Sequence, residues 1–187
     1  SGPSDTRSPV ASARECHAST YAERALMITL HISSADDTRG VARAFAPLLR
    51  AGDIVSLAGE MGAGKTYFVQ EVARSLGVTE PVTSPTFNLV HSYDGAKFPL
   101  HHADLYRLER TGELADLGLD DLAAQGGVVL VEWGDVAKGD LGAGLEISIE
   151  HLAKNPDART ITIRWSGTRW ESRWEQLRAA VSYWSGS

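Results

Sequence analysis

Residues 58–66 read AGEMGAGKT, three glycines followed by a lysine and a threonine, directly behind the apolar run DIVSL. A glycine cluster alone is often only a loop, because glycine serves wherever backbone needs positive φ and costs entropy elsewhere. Spacing decides the matter: Gly59, Gly64, Lys65 and Thr66 fit G-x-x-x-x-G-K-[ST]. The match lies between a predicted strand over 53–59 and a predicted helix over 65–77, the setting this motif requires. Glycines there let consecutive N–H groups converge on anionic oxygens, and the start of the helix adds partial positive charge. Gly59, Glu60, Met61, Gly62, Ala63, Gly64, Lys65, Thr66 and Tyr67 are therefore expected to line a phosphate site. Lys65 would neutralise the β- and γ-phosphates, and the Thr66 hydroxyl would be one magnesium ligand.

The rest of the chain alternates strand-like and helix-like segments. MITLHI, 27–32, reads as an edge strand, and the Ser and Asp of SSADD can cap a helix that runs to about Arg50. Val41, Phe45, Leu48 and Leu49 stand at helical spacing there, with Pro47 expected to kink or shorten the helix. Gly77 suits the end of the helix after the loop. A strand is expected near 88–93, a hairpin turn at Asp94 and Gly95, and a second strand within KFPLHHADLY. Residues 111–124 read as one or two short helices; GVVLVEW, 127–133, is apolar on both faces and so belongs near the centre of a sheet. GLEISIEH and RTITIRW alternate with period two and form a late hairpin. Trp170, Trp174, Leu177, Val181 and Trp184 share one helical stripe, which packs on the core and leaves a partner surface open as an alternative. The expected architecture is a P-loop NTPase-like three-layer α/β fold, its mixed sheet mainly parallel with antiparallel late strands.

At 187 residues without an internal repeat, the chain predicts one domain over 27–187. Residues 1–26, rich in Ser, Ala and charge, read as a disordered extension or a remnant of expression. Their basic and acidic residues cancel, so the net charge of −6, from 18 basic and 24 acidic residues, rests on the remainder. This is not the basic footprint of a protein that grips nucleic acid unaided. Cys16, the single cysteine, excludes an intramolecular disulfide and a cysteine-based zinc cluster. No apolar run approaches the ~20 residues that span a bilayer, and no secretory apolar core precedes Met27, so a cytoplasmic protein is expected.

Magnesium requires carboxylate support beside a hydroxyl. Glu132 ends the apolar run VVLV and Asp104 ends PLHHA, so both are expected in the metal shell, with Asp104 beside the metal or the attacking water. His101 and His102 adjoin on a strand and point to opposite faces, which opposes their sharing one ion. His102 shares a face with Asp104 and is expected to orient it. TSPTF, 83–87, supplies hydroxyls and a stiff proline where nucleotide switches sense a γ-phosphate, a plain loop being the alternative.

Taken together, AGEMGAGKTYFVQEVARSLGV, VTSPTFNLVHSY, LHHADLYRL and VVLVEW resemble the bacterial TsaE (YjeE) family over about residues 33–165. The loop alone is widespread; its combination with S-P-T-F, H-x-D-L-Y-R-L and V-E-W in this order is specific. The resemblance implies binding of ATP with Mg2+ and slow hydrolysis, coupled to the partners TsaD and TsaB that modify tRNA, with tRNA reached only indirectly. It implies catalytic roles for Lys65, Asp104 and Glu132, metal ligation by Thr66, Glu132 and Asp104, and Trp133 beside the nucleotide. It also suggests adenine contacts around Asp37, Thr38 and Arg159. The family usually has a second threonine where this chain has Tyr67. Two other readings stand at this point, a small-molecule kinase of P-loop type and an ATP-dependent binding module with negligible chemistry.

Overall fold

The computed structural model describes residues 26–85, 88–95, 97–108, 113–133, 141–152 and 155–186. The expectations for residues 1–25, Cys16 included, and for Thr86 and Phe87 lie outside them.

Strand β1, Met27–Ile32, leads into helix α1, Ala35–Phe45, whose start is capped by the Ser34 hydroxyl accepting from the Asp37 amide at 3.2 Å. Pro47 sits in the first positions of a 3-10 turn, Ala46–Leu48, so the α-helix stops at Phe45 and does not reach Arg50. Strand β2, Ile54–Ala58, runs into the glycine loop, and helix α2, Lys65–Ser75, leaves it. Gly77 at φ 86° follows the helix end, as expected of a left-handed terminator. Strands β3, Val90–Tyr93, and β4, Leu100–Asp104, pair antiparallel with Tyr93 opposite Leu100. Asp94 and Gly95 lie between these two strands, as expected, with β4 beginning only at Leu100. A 3-10 turn, Ala115–Leu117, and helix α3, Leu119–Ala124, precede β5, Val128–Glu132. The expected late hairpin is β6, Leu145–Leu152, with β7, Asn155–Trp165, and helix α4, Trp174–Ala180, follows.

Among the described residues the strands form one sheet in the order β1-β7-β6-β2-β5-β4-β3. Its centre is parallel, β6 with β2, β2 with β5 and β5 with β4, while β3 on one margin and β7 and β1 on the other run antiparallel to their neighbours. β1 is the expected edge strand.

Alternation along the strands divides the core between two faces. Val55, Leu57, Val128 and Leu130 pack with Phe45, Phe68, Val72 and the α4-side residues Trp170, Trp174 and Leu177. Val129, Val131 and Ala103 face the other way, against Leu114, Leu119 and Ala123. Every residue of β5 is buried, which is why its sequence lacks polar alternation. Three layers result, with α1, α2 and α4 on one face and α3 on the other. The tryptophan stripe packs as core: Trp170, Trp174 and Val181 are buried, and Trp184 lies partly buried against the same cluster.

The start of β2 is anchored through a buried ion pair. Arg173 donates to both Asp53 oxygens at 2.6 and 2.8 Å, and also to the carbonyls of Leu48 and Arg169. Its guanidinium lies 4.0 Å over the Trp170 ring. Asp53 further accepts from the Arg50 amide at 2.8 Å. The strand that delivers the glycine loop is thus tied to the segment before α4.

Candidate nucleotide-binding site

The parallel strands β2, β5 and β4 lie side by side and end together, at Ala58, Glu132 and Asp104. Ligands in open α/β sheets bind outside such carboxyl ends. Gly59, Gly62 and Gly64 have φ of 139°, 80° and 108°, the conformations that side chains disfavour. Around Gly62 and Gly64 there is open space, so those positions demand only conformation. Gly59 demands room too, because a Cβ there would stand 2.2 Å from the Ile149 carbonyl oxygen. Gly59→Ala is accordingly expected to lower the thermal midpoint well beyond the effect of Gly62→Ala, whose cost is about 1–2 kcal/mol of backbone strain. Unfolding scans of the two variants check this.

Helix α2 starts at Gly64 without any side-chain cap, in contrast to α1. Its first-turn N–H groups remain donors for an anion. Lys65 is buried, its ammonium donating to the carbonyls of Gly59 at 2.6 Å and Glu60 at 2.9 Å while lying 3.9 Å over the Trp133 ring. Trp133, the residue after Glu132, has φ 60°, the one positive φ outside glycine among the described residues, and its ring meets Tyr106 at 5.1 Å.

Thr66 and Glu132 meet directly, the Thr66 hydroxyl donating to Glu132 Oε2 at 2.9 Å. His102 Nε2 lies 2.8 Å from the other oxygen, Oε1. His102 Nδ1 is buried without a partner among the described residues, so the ring proton is assigned to Nε2, which donates. Here the expectation for His102 is corrected: it orients Glu132, not Asp104. In the β4–β5 register Asp104 stands opposite Glu132 and His102 opposite Leu130, so the imidazole reaches its carboxylate diagonally across strands. Asp104 is held by the Ser84 hydroxyl and by the Tyr106 amide, which donates at 3.0 Å. His101 does point to the opposite face, 2.8 Å from the Ser92 hydroxyl, and burial pushes its pKa down. Among the described residues no three His, Cys, Asp or Glu side chains are grouped as for a metal.

These residues line one cleft of about 360 Å3: Lys65, Thr66, Ser84, Asp104, Glu132 and Trp133, together with Met61, Gly62, Gly64, Tyr67 and Tyr106. A hydroxyl and two carboxylates are hard oxygen donors of the kind Mg2+ takes, so the donor set fits that ion. A second cavity of about 400 Å3 shares Gly64 and Tyr67 with the first and adds Ala63, Thr38, Arg159, Asp157, Ser33, Ser34 and Ala35. Arg159 Nε donates to the Ala63 carbonyl at 3.2 Å, fastening β7 to the loop. Thr38 and Arg159 thus stand in this cavity. Asp37 does not line it; its carboxylate turns back to Ser33, Ser34 and Trp184. Glu60 lines a third depression with Glu146 and Glu150, and this depression shares Trp133 with the cleft. Tyr67 lines both main cavities and accepts from Arg39 at 3.2 Å.

Sequence reasoning missed Tyr106, Ser33, Ser34 and Asp157 as lining residues. The tyrosine two positions past the strand-end Asp104 is a signal for the first, and SSADD, expected to cap the helix and to contact adenine around Asp37, lines the cavity through Ser33, Ser34 and Ala35 instead.

A glycine loop between β2 and α2, at the carboxyl edge of a parallel sheet centre with a strand-end carboxylate against its threonine, defines an α/β protein of the P-loop type. The profile of the family described as threonylcarbamoyl adenosine biosynthesis protein TsaE matches residues 32–161. The chain is 38% identical over 143 residues to the tRNA threonylcarbamoyladenosine biosynthesis protein TsaE of Bacillus subtilis, covering 76% of this chain and 88% of that one. It is 40% identical over 138 residues to the protein of that name from Streptomyces coelicolor, covering 71% and 93%. The crystal structure of Bacillus subtilis YdiB superposes with a TM-score of 0.69 at 33% identity, over 82% of this chain and 95% of that one. The chain belongs to the TsaE family. No helix among the described residues is long and apolar enough to cross a membrane.

Proposed function

We propose that this protein binds ATP with Mg2+, hydrolyses it slowly, and serves tRNA threonylcarbamoyladenosine biosynthesis through the partner proteins TsaD and TsaB. The observation that carries the reading is the Thr66–Glu132 contact of 2.9 Å, a loop hydroxyl joined to a strand-end carboxylate at the mouth of the glycine loop. The names of the relatives support the pathway.

On this reading the loop amides and the start of α2 hold the phosphates, and Lys65 leaves the Gly59 and Glu60 carbonyls to neutralise them. Thr66, Glu132 and Asp104 are the residues that would hold Mg2+, which supplies charge neutralisation on the phosphate oxygens. His102 keeps Glu132 aimed at Thr66, and Ser84 keeps Asp104 aimed at the cleft beside the attacking water. The base enters the cavity of Thr38 and Arg159. A net charge of −6 supports leaving tRNA contact to the partners.

Phosphate release from ATP and Mg2+ tests the proposal, measured with and without TsaD and TsaB. Slow release that the partners stimulate is the expected result. Phosphoryl transfer to an added metabolite, or ATP left intact in the presence of the partners, would count against it.

A further inference from the structure

Residues 162–186 lie beyond the family match at 32–161, yet Trp184 among them packs on α1, next to residues that line the second cavity. After α4, Ser182–Trp184 form a 3-10 turn that sets the Trp184 indole on α1. Gly40 makes the seat: a Cβ there would lie 2.4 Å from Trp184 Cζ2 and 3.0 Å from Cη2. From this seat Trp184 Nε1 donates to Asp37 Oδ1 at 3.2 Å. The other carboxylate oxygen, Oδ2, accepts from the Ser33 amide at 3.0 Å, the Ser33 hydroxyl at 2.5 Å and the Ser34 hydroxyl at 3.2 Å. Ser33 and Ser34 are cavity wall, whereas Asp37 and Trp184 stand behind them.

A carboxylate bound through one oxygen still turns about a broad terminal torsion; a donor on each oxygen fixes its plane. Trp184 supplies the second donor, and the plane it fixes aims Oδ2 at the serines. Hydrogen bonds, led by the Ser33 hydroxyl and including the indole, hold the Asp37 carboxyl below its ordinary range against opposing desolvation. Asp37 therefore stays a charged acceptor at neutral pH.

We propose that Trp184 is a positioning residue for the cavity beside the phosphate loop, acting through Asp37 on Ser33 and Ser34 to set affinity for the nucleoside part of a bound nucleotide. The inference rests on the nucleotide reading above. The phosphates, held by the loop and Lys65, are outside its reach.

Trp184→Phe removes the Nε1 donor together with the Cζ2 and Cη2 atoms that rest on Gly40, whereas Asp37→Asn leaves the indole in its seat. Titration calorimetry would compare ATP with inorganic tripolyphosphate, both with Mg2+, on the unaltered chain, Trp184→Phe, Asp37→Asn and the double variant. Affinity for ATP is expected to fall about fivefold in Trp184→Phe, the worth of one hydrogen bond, with tripolyphosphate unchanged. The double variant should be no weaker than Asp37→Asn, since the two act in series. Equal ATP affinity in Trp184→Phe and the unaltered chain overturns the inference. So does an equal loss for both ligands, which would mark general loosening. Failure of the unaltered chain to bind ATP would instead overturn the nucleotide reading and this inference with it.

Discussion

Glu132→Ala is expected to lower magnesium-dependent ATP turnover by about 100-fold while changing nucleotide affinity only a few-fold. The asymmetry follows from geometry. On the proposed reading, phosphate grip comes from the loop amides, the first-turn N–H groups of α2 and Lys65, whose ammonium donates to the Gly59 and Glu60 carbonyls. Glu132 instead holds Thr66 through one oxygen and His102 through the other. On the proposed reading, removing it takes away a carboxylate of the magnesium shell and lets the Thr66 hydroxyl turn freely. It also leaves His102 Nε2 buried without an acceptor, so Glu132→Gln, which keeps an oxygen for one neighbour, separates charge from shape. Steady-state phosphate release and calorimetric affinity for both variants check the split. Turnover at the parent rate in Glu132→Ala would show that the metal assignment is wrong.

The second large effect concerns folding. Asp53→Ala is expected to cost about 3–5 kcal/mol, because it strands the buried Arg173 guanidinium without its carboxylate. In a chain of this size that lowers the thermal midpoint by roughly 10 °C or more. The cost falls on function as well, since Asp53 directly precedes the strand that presents the glycine loop. A double replacement, Asp53→Met with Arg173→Leu, should lose less than Asp53→Ala, because a buried pair replaced by packed apolar groups need not be destabilising. Denaturant titration of the three proteins checks both statements. An Asp53→Ala variant as stable as the parent would refute the anchoring role.

Legibility in the sequence followed the range of the interaction. The loop was readable because glycines, lysine and threonine act within nine consecutive residues, and β5 because burial on both faces writes itself as VVLV. Glu132 was readable for the same reason, as the first charge after that run. Partners across strands were not. His102 was assigned to Asp104, its same-face neighbour in sequence, but the β4–β5 register places Glu132 within its reach, and register is invisible without the fold. Asp53 and Arg173 are 120 residues apart, and nothing local marks either as paired. The DG dipeptide marks where the hairpin connection begins, while its length follows from the pairing of Tyr93 with Leu100. Trp184 was legible as a core residue by its spacing, while its indole hydrogen bond to Asp37 depended on α4 packing beside α1.

Calorimetric titration of ATP and Mg2+ into the protein and into Lys65→Ala tests the central claim most directly. The cleft account predicts one saturable site on the unaltered chain and an affinity about 100-fold weaker in Lys65→Ala, whose lost ammonium makes charge-assisted contacts to the phosphates. Equal binding by the two proteins, or none by the unaltered chain, would contradict it.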